Sequence, residues 1–326
     1  MDEWVGREFD GGELPDQRLK SRPAKLLGDL GRRIGATVPM ARQDWAATKA
    51  AYRSFSNRRV DEGLILAGHF AATRARSAQA TGPTLILHDT TEFSFTREYP
   101  EAIGRISIIE GRRGSHTVCG LLMHSSLVLT SRGVPLGLAA VKSRTREEFK
   151  GTNAPKKTVN PTRIPIEQKE SVGWLEDVKR ATERLADPSR CVHIGDREGN
   201  IFEPSCTARG GRDALPGLTR VDRLAGGGDT TISREMGREP IRGDHQVEIR
   251  DDQGRVSTAK VSLRFRQMRV HPPIGESRHY PASSPTVIHA QEDGPPEGRE
   301  PIRWKSPTSQ PVEDLAPAIE KLDWHS

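Results

Sequence analysis

At 326 residues the chain is long enough for one large domain with an insertion, or for two to three smaller ones. Its 50 Lys and Arg against 44 Asp and Glu leave +6, a balance compatible with a polyanionic partner but too small to establish one. No run of about 18 apolar residues exists and the N-terminal stretch is charged throughout, which excludes a membrane span and a signal peptide and predicts a cytoplasmic protein. Cys119, Cys191 and Cys206 are far apart and odd in number, which excludes a disulfide framework or zinc ribbon and predicts buried thiols.

In chain order, residues 1–80 read as helical. Leu19, Leu26, Leu27, Leu30 and Ile34 recur near helical spacing in LPDQRLKSRPAKLLGDLGRRIG, with Arg and Lys on the other face. QDWAATKAAYRSFSNRRVDEGLILAGHFAATRARS continues the pattern. Basic residues crowd this region: Arg18, Lys20, Arg22, Lys25, Arg32, Arg33, Arg42, Lys49, Arg53, Arg58 and Arg59. They form either a solvated helix face or a helical module whose side chains contact DNA phosphates and position the protein on the duplex.

After the Gly82-Pro83 turn the period becomes strand-like. Residues 84–88 (TLILH) predict one strand that ends at Asp89, TVCGLLMHSSLVLT a second and GVPLGLAAVKS a third, with SRG as a hairpin turn. KKTVNPTRIP is a loop. IEQKESVGWLEDVKRATERLAD predicts a helix with Val172, Leu175, Val178, Thr182 and Leu185 on one side, followed by a strand over 191–195 that ends at Asp196. Further on, AGGGD at 225–229 reads as a glycine-rich linker, and HQVEIRDDQGRVSTAKVSLRFRQMRVHPP as a hairpin turning at DDQG. Lys260, Arg264, Arg266 and Arg269 on that hairpin either track a DNA backbone or protect an edge strand with charge.

The order of three strands, a helix and a fourth strand, with an acid ending the first and fourth, fits an α/β fold with a ribonuclease-H-like core. In such a core the first strand is central and the fourth lies beside it, so Asp89 and Asp196 become neighbours. Two adjacent carboxylates repel unless a proton or cation lies between them. Hard oxygen ligands suit Mg²⁺ or Mn²⁺, and two such ions about 4 Å apart clamp the attacking and leaving oxygens of a phosphodiester. His88 and His193 lie within the strands and read as satisfied core histidines. Thr90 and Thr91 have at most a supporting role, bonding the Asp89 carboxylate or nearby backbone. Cys119 and Cys191 have no His or acid at a spacing that would support nucleophilic catalysis.

The segments TKAAYRSFSNRRV, LILHDTTEF, HSSLVLTSRGVPLGL, IEQKESVGWLE and VHIGDREGNIFE, taken in this order, resemble the IS4-type, Tn5-like DDE transposases over nearly the whole chain. The resemblance implies a helical DNA-binding domain for transposon ends over 1–75, a ribonuclease-H-like core over 80–214, a β-rich insertion over 215–305 and a return to the core over 306–326. It implies that Asp89 and Asp196 are the first two metal-binding acids, that Mg²⁺ or Mn²⁺ is the cofactor, and that double-stranded DNA is the partner. An intact transposase or a second copy of the chain is a further partner, and the location is the bacterial cytoplasm, at the nucleoid when bound to DNA.

The third acid of such enzymes is a glutamate on a helix beyond the segment similar to VEDLAPAIEKLDWHS, and therefore beyond Ser326. Glu198, Glu313 and Glu320 do not match it. The expectation is a C-terminally truncated transposase that lacks catalysis by itself. The alternative is a DNA-binding remnant that needs only the N-terminal module. An unrelated metal-dependent nuclease or phosphatase with the same two acids is a third reading. GGRDALPGLTR and WKSPTSQPV stand where the resemblance predicts apolar strands. Their Gly, Arg, Ser and Pro predict that those strands are missing, as in a decayed reading frame with short frame slips.

Overall fold

The computed structural model describes residues 2–12, 17–95, 104–111, 114–145, 171–195, 222–250, 253–272, 281–296 and 299–324. Five helices come first: α1 (Glu3–Phe9), α2 (Gln17–Gly31), α3 (Val38–Arg42), α4 (Trp45–Phe55) and α5 (Glu62–Gln79). Short acids start two of them. The Asp44 carboxylate accepts from the backbone N–H groups of Ala46 and Ala47, and Asp61 from that of Leu64, satisfying first-turn donors that have no helical partner. Leu19 and Leu26 of α2 are buried as their spacing predicts. Ile34 is 93% exposed, because α2 stops at Gly31, before that residue could extend the stripe. Gly68 of α5 lets α1 come close: a Cβ there would lie 2.5 Å from the carbonyl oxygen of Glu8.

The main sheet contains β1 (Thr84–Phe95), β2 (Arg105–Gly111), β3 (Gly114–Thr130), β4 (Pro135–Arg144) and, after α6 (Ser171–Arg184), β5 (Cys191–Gly195). β1 lies between β3, to which it is antiparallel, and β5, to which it is parallel. On the far side of β3, β4 pairs with residues 122–129 and β2 with residues 114–119. The SRG turn joins β3 to β4, with Gly133 at φ 77°. One face of the sheet packs Ile86, Val128, Ala140 and Cys191 against Ala181, within α6, and Leu185, just beyond it. The opposite face packs Leu85, Leu87, Leu129, Val192 and Ile194 against Trp324.

Two expectations change here. β1 does not end at Asp89. It continues to Phe95, because Thr90, Thr91, Phe93 and Phe95 favour extended backbone and the 17-residue β3 pairs with it from Thr84↔Thr130 to Phe95↔Cys119. Burial ends before pairing does, and the apolar run marked only the buried half. β2 was not anticipated from the sequence.

The second sheet follows a small hairpin, β6 (Leu224–Ala225) with β7 (Thr230–Thr231), and a short helix, α7 (Ile232–Met236). Its strands are β8 (Gly243–Arg250), β9 (Val256–Gln267), β10 (Thr286–Glu292) and β11 (Arg303–Thr308), all antiparallel in the order β11-β10-β9-β8. The β8–β9 hairpin forms as the sequence predicts. The glycine-rich segment at 225–229 is a tight turn rather than a linker, with Gly226 at φ 62° and Gly228 at φ 100° between the paired strands β6 and β7. The strand after Arg303 also forms despite its Ser and Pro. β11 is an edge strand with a neighbour on one side only, so Pro307 opposite Val287 is tolerated without an N–H. The expected frame slip over 305–311 thus loses its structural motive, while GGRDALPGLTR lies outside the described residues.

A last helix, α8 (Leu315–Asp323), joins the two sheets. Leu322 packs with Val247, Val261, Leu263, Ala290 and Ile302 of the second sheet, whereas Trp324 packs on the main sheet. Cys119 and Cys191 are buried thiols outside any disulfide, as predicted, and Cys206 lies outside the described residues. Among the described residues, no helix is long and apolar enough to cross a membrane.

Candidate functional site

Asp89 is exposed and continues the row Leu85, Leu87, Asp89 on the face that carries Trp324. The parallel pairing of β1 with β5 runs from Thr84↔Cys191 to His88↔Gly195. The residue before Asp89 is therefore opposite the residue before Asp196. Asp196 itself, like Glu198, lies outside the described residues. An exposed carboxylate at this position fits a hard divalent cation in kind. Among the described residues, no group of three or more His, Cys, Asp and Glu is placed to hold a metal ion. Thr90 does not serve Asp89. Adjacent strand residues point to opposite faces, and the Thr90 hydroxyl lies 2.6 Å from Nδ1 of His124.

On the α6 face, directly behind Asp89, are two fully buried imidazoles. Nε2 of His88 lies 2.7 Å from Nδ1 of His193, and the two rings meet edge to edge, with planes 18° apart and centroids 5.0 Å apart. Ser126 Oγ lies 3.0 Å from His88 Nδ1, and Thr182 Oγ1 lies 2.8 Å from His193 Nε2. Burial, reinforced by the neighbouring ring, holds His88 well below its ordinary value; burial alone brings His193 down to about 4. Both rings are neutral at physiological pH. The expectation of satisfied core histidines holds, but the bond between them required knowledge of which strands pair.

The predicted DNA-contacting residues divide into two sets. Arg32 bonds Asp2 and Asp29 at 2.6 Å each, Arg33 donates to the carbonyl oxygen of Met40 at 2.8 Å, and Lys20 lies 3.8 Å from Asp10. Arg42 is buried against Asp29. These cations partly serve to hold α1, α2 and α3 together. Arg22, Lys25, Lys49, Arg53 and Arg58 are exposed and make no ion pair among the described residues. Arg18 and Arg59 are also exposed.

On α4 the free cations have aromatic company. Trp45, Lys49, Tyr52 and Arg53 recur at helical spacing on the exposed side, with Trp45 79% exposed, while Thr48 and Ala51 turn inward. Phe55 is half exposed beyond them. Charge alone does not single out these aromatics, although their spacing is present in the sequence. A face of aromatic rings and cations can pack against nucleotides while it neutralises phosphates.

The helical segment is fixed to the main sheet by side chains. Arg76 of α5 donates to Glu8 Oε1 at 2.6 Å and to the carbonyl oxygen of Leu136 at 2.5 Å, and the Leu138 N–H donates to His69 Nε2 at 2.8 Å.

Residues 1–60 match the family model of transposase DNA-binding domains. That match supports a transposase with DNA as its partner. It covers the helices that carry the exposed cations and aromatics. Among solved structures, the NurA nuclease from Sulfolobus solfataricus aligns over 74% of this chain and 72% of its own, at 10% identity and a TM-score of 0.34, a level that assigns no fold.

Proposed function

We propose that the protein is an IS4-type, Tn5-like DDE transposase chain: a transposon-end-binding module over 1–75, a ribonuclease-H-like core over 80–214, a β-rich insertion over 215–305 and a return to the core over 306–326. Asp89 and Asp196 are its first two metal-binding acids. The observation that carries this reading is the parallel β1–β5 pairing, which sets His88 opposite Gly195, the residues that directly precede the two acids. The match of residues 1–60 to transposase DNA-binding domains supplies the partner.

In this reading Arg18, Arg22, Lys25, Lys49, Arg53, Arg58 and Arg59 neutralise backbone phosphates and place a DNA end on the exposed face of α2 and α4. The carboxylates of Asp89 and Asp196 hold Mg²⁺ or Mn²⁺ at the edge of the sheet. The bound metal would polarise a phosphodiester and activate its attacking hydroxyl. The Asp89 side of the sheet is flanked by Trp324, whose ring shields the strand below the acid from water.

Calorimetric titration of Mn²⁺ into the full chain tests the metal part. Binding that disappears in both Asp89→Ala and Asp196→Ala is expected. A second reading, a DNA-binding protein without catalysis, is favoured by the match of residues 1–60 to transposase DNA-binding domains, which does not depend on Asp89. It predicts duplex binding, read by fluorescence anisotropy, with no Mn²⁺ binding by a folded chain. That result would remove the metal-centre reading and keep the DNA partner.

A further inference from the structure

We infer that Ser126, His88, His193 and Thr182 form a single directed hydrogen-bond chain that fixes β1 against β5 and so positions Asp89 and the end of β5 that leads into Asp196. The inference rests on the metal reading above. Its direction follows from counting protons. Thr182 has one hydroxyl proton, and its Oγ1 lies 2.8 Å from the carbonyl oxygen of Val178, which can only accept. The proton is therefore given to Val178, and Thr182 Oγ1 accepts from His193 Nε2–H. A neutral ring with its proton on Nε2 presents a lone pair at Nδ1, which accepts from His88 Nε2–H. The same logic leaves His88 Nδ1 as an acceptor for the Ser126 hydroxyl. Each donor in the sequence meets one acceptor, whereas the reverse direction would leave the Thr182 and Val178 oxygens 2.8 Å apart with no proton between them.

This chain crosses β3, β1, β5 and α6 and joins each to the next. His193 is opposite Ile86, not His88, and the two imidazoles meet diagonally across the strands. Gly195, opposite His88, has no side chain to obstruct that approach. A slip of β5 by one residue would move His193 to the other face, break two bonds and leave buried donors unsatisfied. The residues of the chain lie on the face of β1 opposite Asp89 and do not touch what that acid binds. They are positioning residues, comparable to the outer hydrogen bonds that orient metal ligands.

The experiment compares Mn²⁺ affinity with thermal stability for the full chain, its Thr182→Val, Thr182→Ser and His193→Ala variants, and Val128→Ala. Val128 is fully buried on the same face but outside the chain of bonds, and serves as the packing control. Thr182→Val and His193→Ala are expected to weaken Mn²⁺ binding by about tenfold or more. Thr182→Ser, which keeps the hydroxyl, should restore it, and Val128→Ala should bind like wild type despite its lower unfolding midpoint. In parallel, long-range ¹H–¹⁵N correlation spectra of the wild-type chain should show both rings protonated on Nε2.

Chain variants that bind Mn²⁺ as tightly as Val128→Ala would overturn the positioning role while leaving the metal reading intact. A proton on Nδ1 of either ring would overturn the direction of the chain even if Thr182→Val and His193→Ala fail to fold. Wild-type protein that binds no Mn²⁺, or binds it equally after Asp89→Ala, would defeat the metal reading and the positioning role together.

Discussion

Two histidine seams hold helices to the same sheet, and they are built from opposite materials. Between α1, α5 and β4 the seam is charged. The Leu138 N–H donates to His69 Nε2, so Nδ1 carries the ring proton and donates to Glu8 at 2.5 Å, while Arg76 pairs with the same carboxylate. Between β3, β1, β5 and α6 the seam carries no charge at all. The difference follows solvation. The charged groups of the first seam keep part of their surface in water, Arg76 about a third of it. The rings of the second are enclosed between the sheet and α6, where an ion would lose its hydration without a counterion to replace it. A fold can use histidine as a fastener in either setting, but burial decides whether charged side chains can share the seam.

Acid should separate the seams most clearly. His193 is held down to about 4, against 6.5 in an ordinary setting. As pH falls, the unfolded chain takes up that proton first. The stability from a neutral His193 is therefore complete above its ordinary value and is lost between there and about 4, a cost of about 3 kcal/mol. In Glu8, burial pushes the carboxyl up, but the bonds from Arg76 and His69 outweigh it and hold it below the usual 4.5. Its contribution is present above that value and is lost only at lower pH. Urea unfolding followed across this range should show the His193 loss first, and His193→Gln should flatten that part of the curve. A wild-type profile that is flat until Glu8 protonates would break the comparison.

Salt sharpens the contrast at a smaller scale. Glu8→Gln removes the charge from the first seam and is expected to cost about 2 kcal/mol, less in high salt as the ion pairs are screened. Thr182→Val leaves the buried His193 N–H without its acceptor, at a cost of about 1–2 kcal/mol that salt does not change. Denaturant titrations at low and high NaCl separate the two. Equal salt responses would mean that the second seam carries hidden charge.

What could be read from the sequence was local. The β8–β9 hairpin, the strand at 191–195 and the helix before it all follow from nearby residues, and the structure has them. The length of β1 did not follow, because residues 89–95 are held by pairing with β3 rather than by burial. Edge position made β11 tolerant of Pro307, and edge position is a property of the sheet, not of the segment. The two acids were recognisable one at a time. That their strands are parallel neighbours depends on a pairing across more than a hundred residues, which resemblance suggested and the β1–β5 register supplies up to His88 and Gly195. His88 and His193 were read as separate core residues for the same reason.

The smallest effects on folding should come from the exposed cations of the helical segment, where charge is neither paired nor buried. Arg22→Ala, Lys25→Ala, Lys49→Ala and Arg53→Ala are expected to leave the unfolding midpoint unchanged, since these side chains make no ion pair among the described residues. Arg42→Ala should lower it, because Asp29 would lose its buried partner. Duplex DNA reverses the ranking. Each exposed cation that meets a phosphate reduces the salt slope of binding by about one, uniformly across sequences, whereas Arg42 should leave that slope intact in the protein that remains folded. Trp45→Ala tests the aromatic part of the same face: it should weaken binding without altering the slope, because a ring that packs on nucleotides releases no counterion. A loss of slope on removing Trp45 would mean that the ring acts by orienting its cationic neighbours, and α4 would then contact DNA through charge alone.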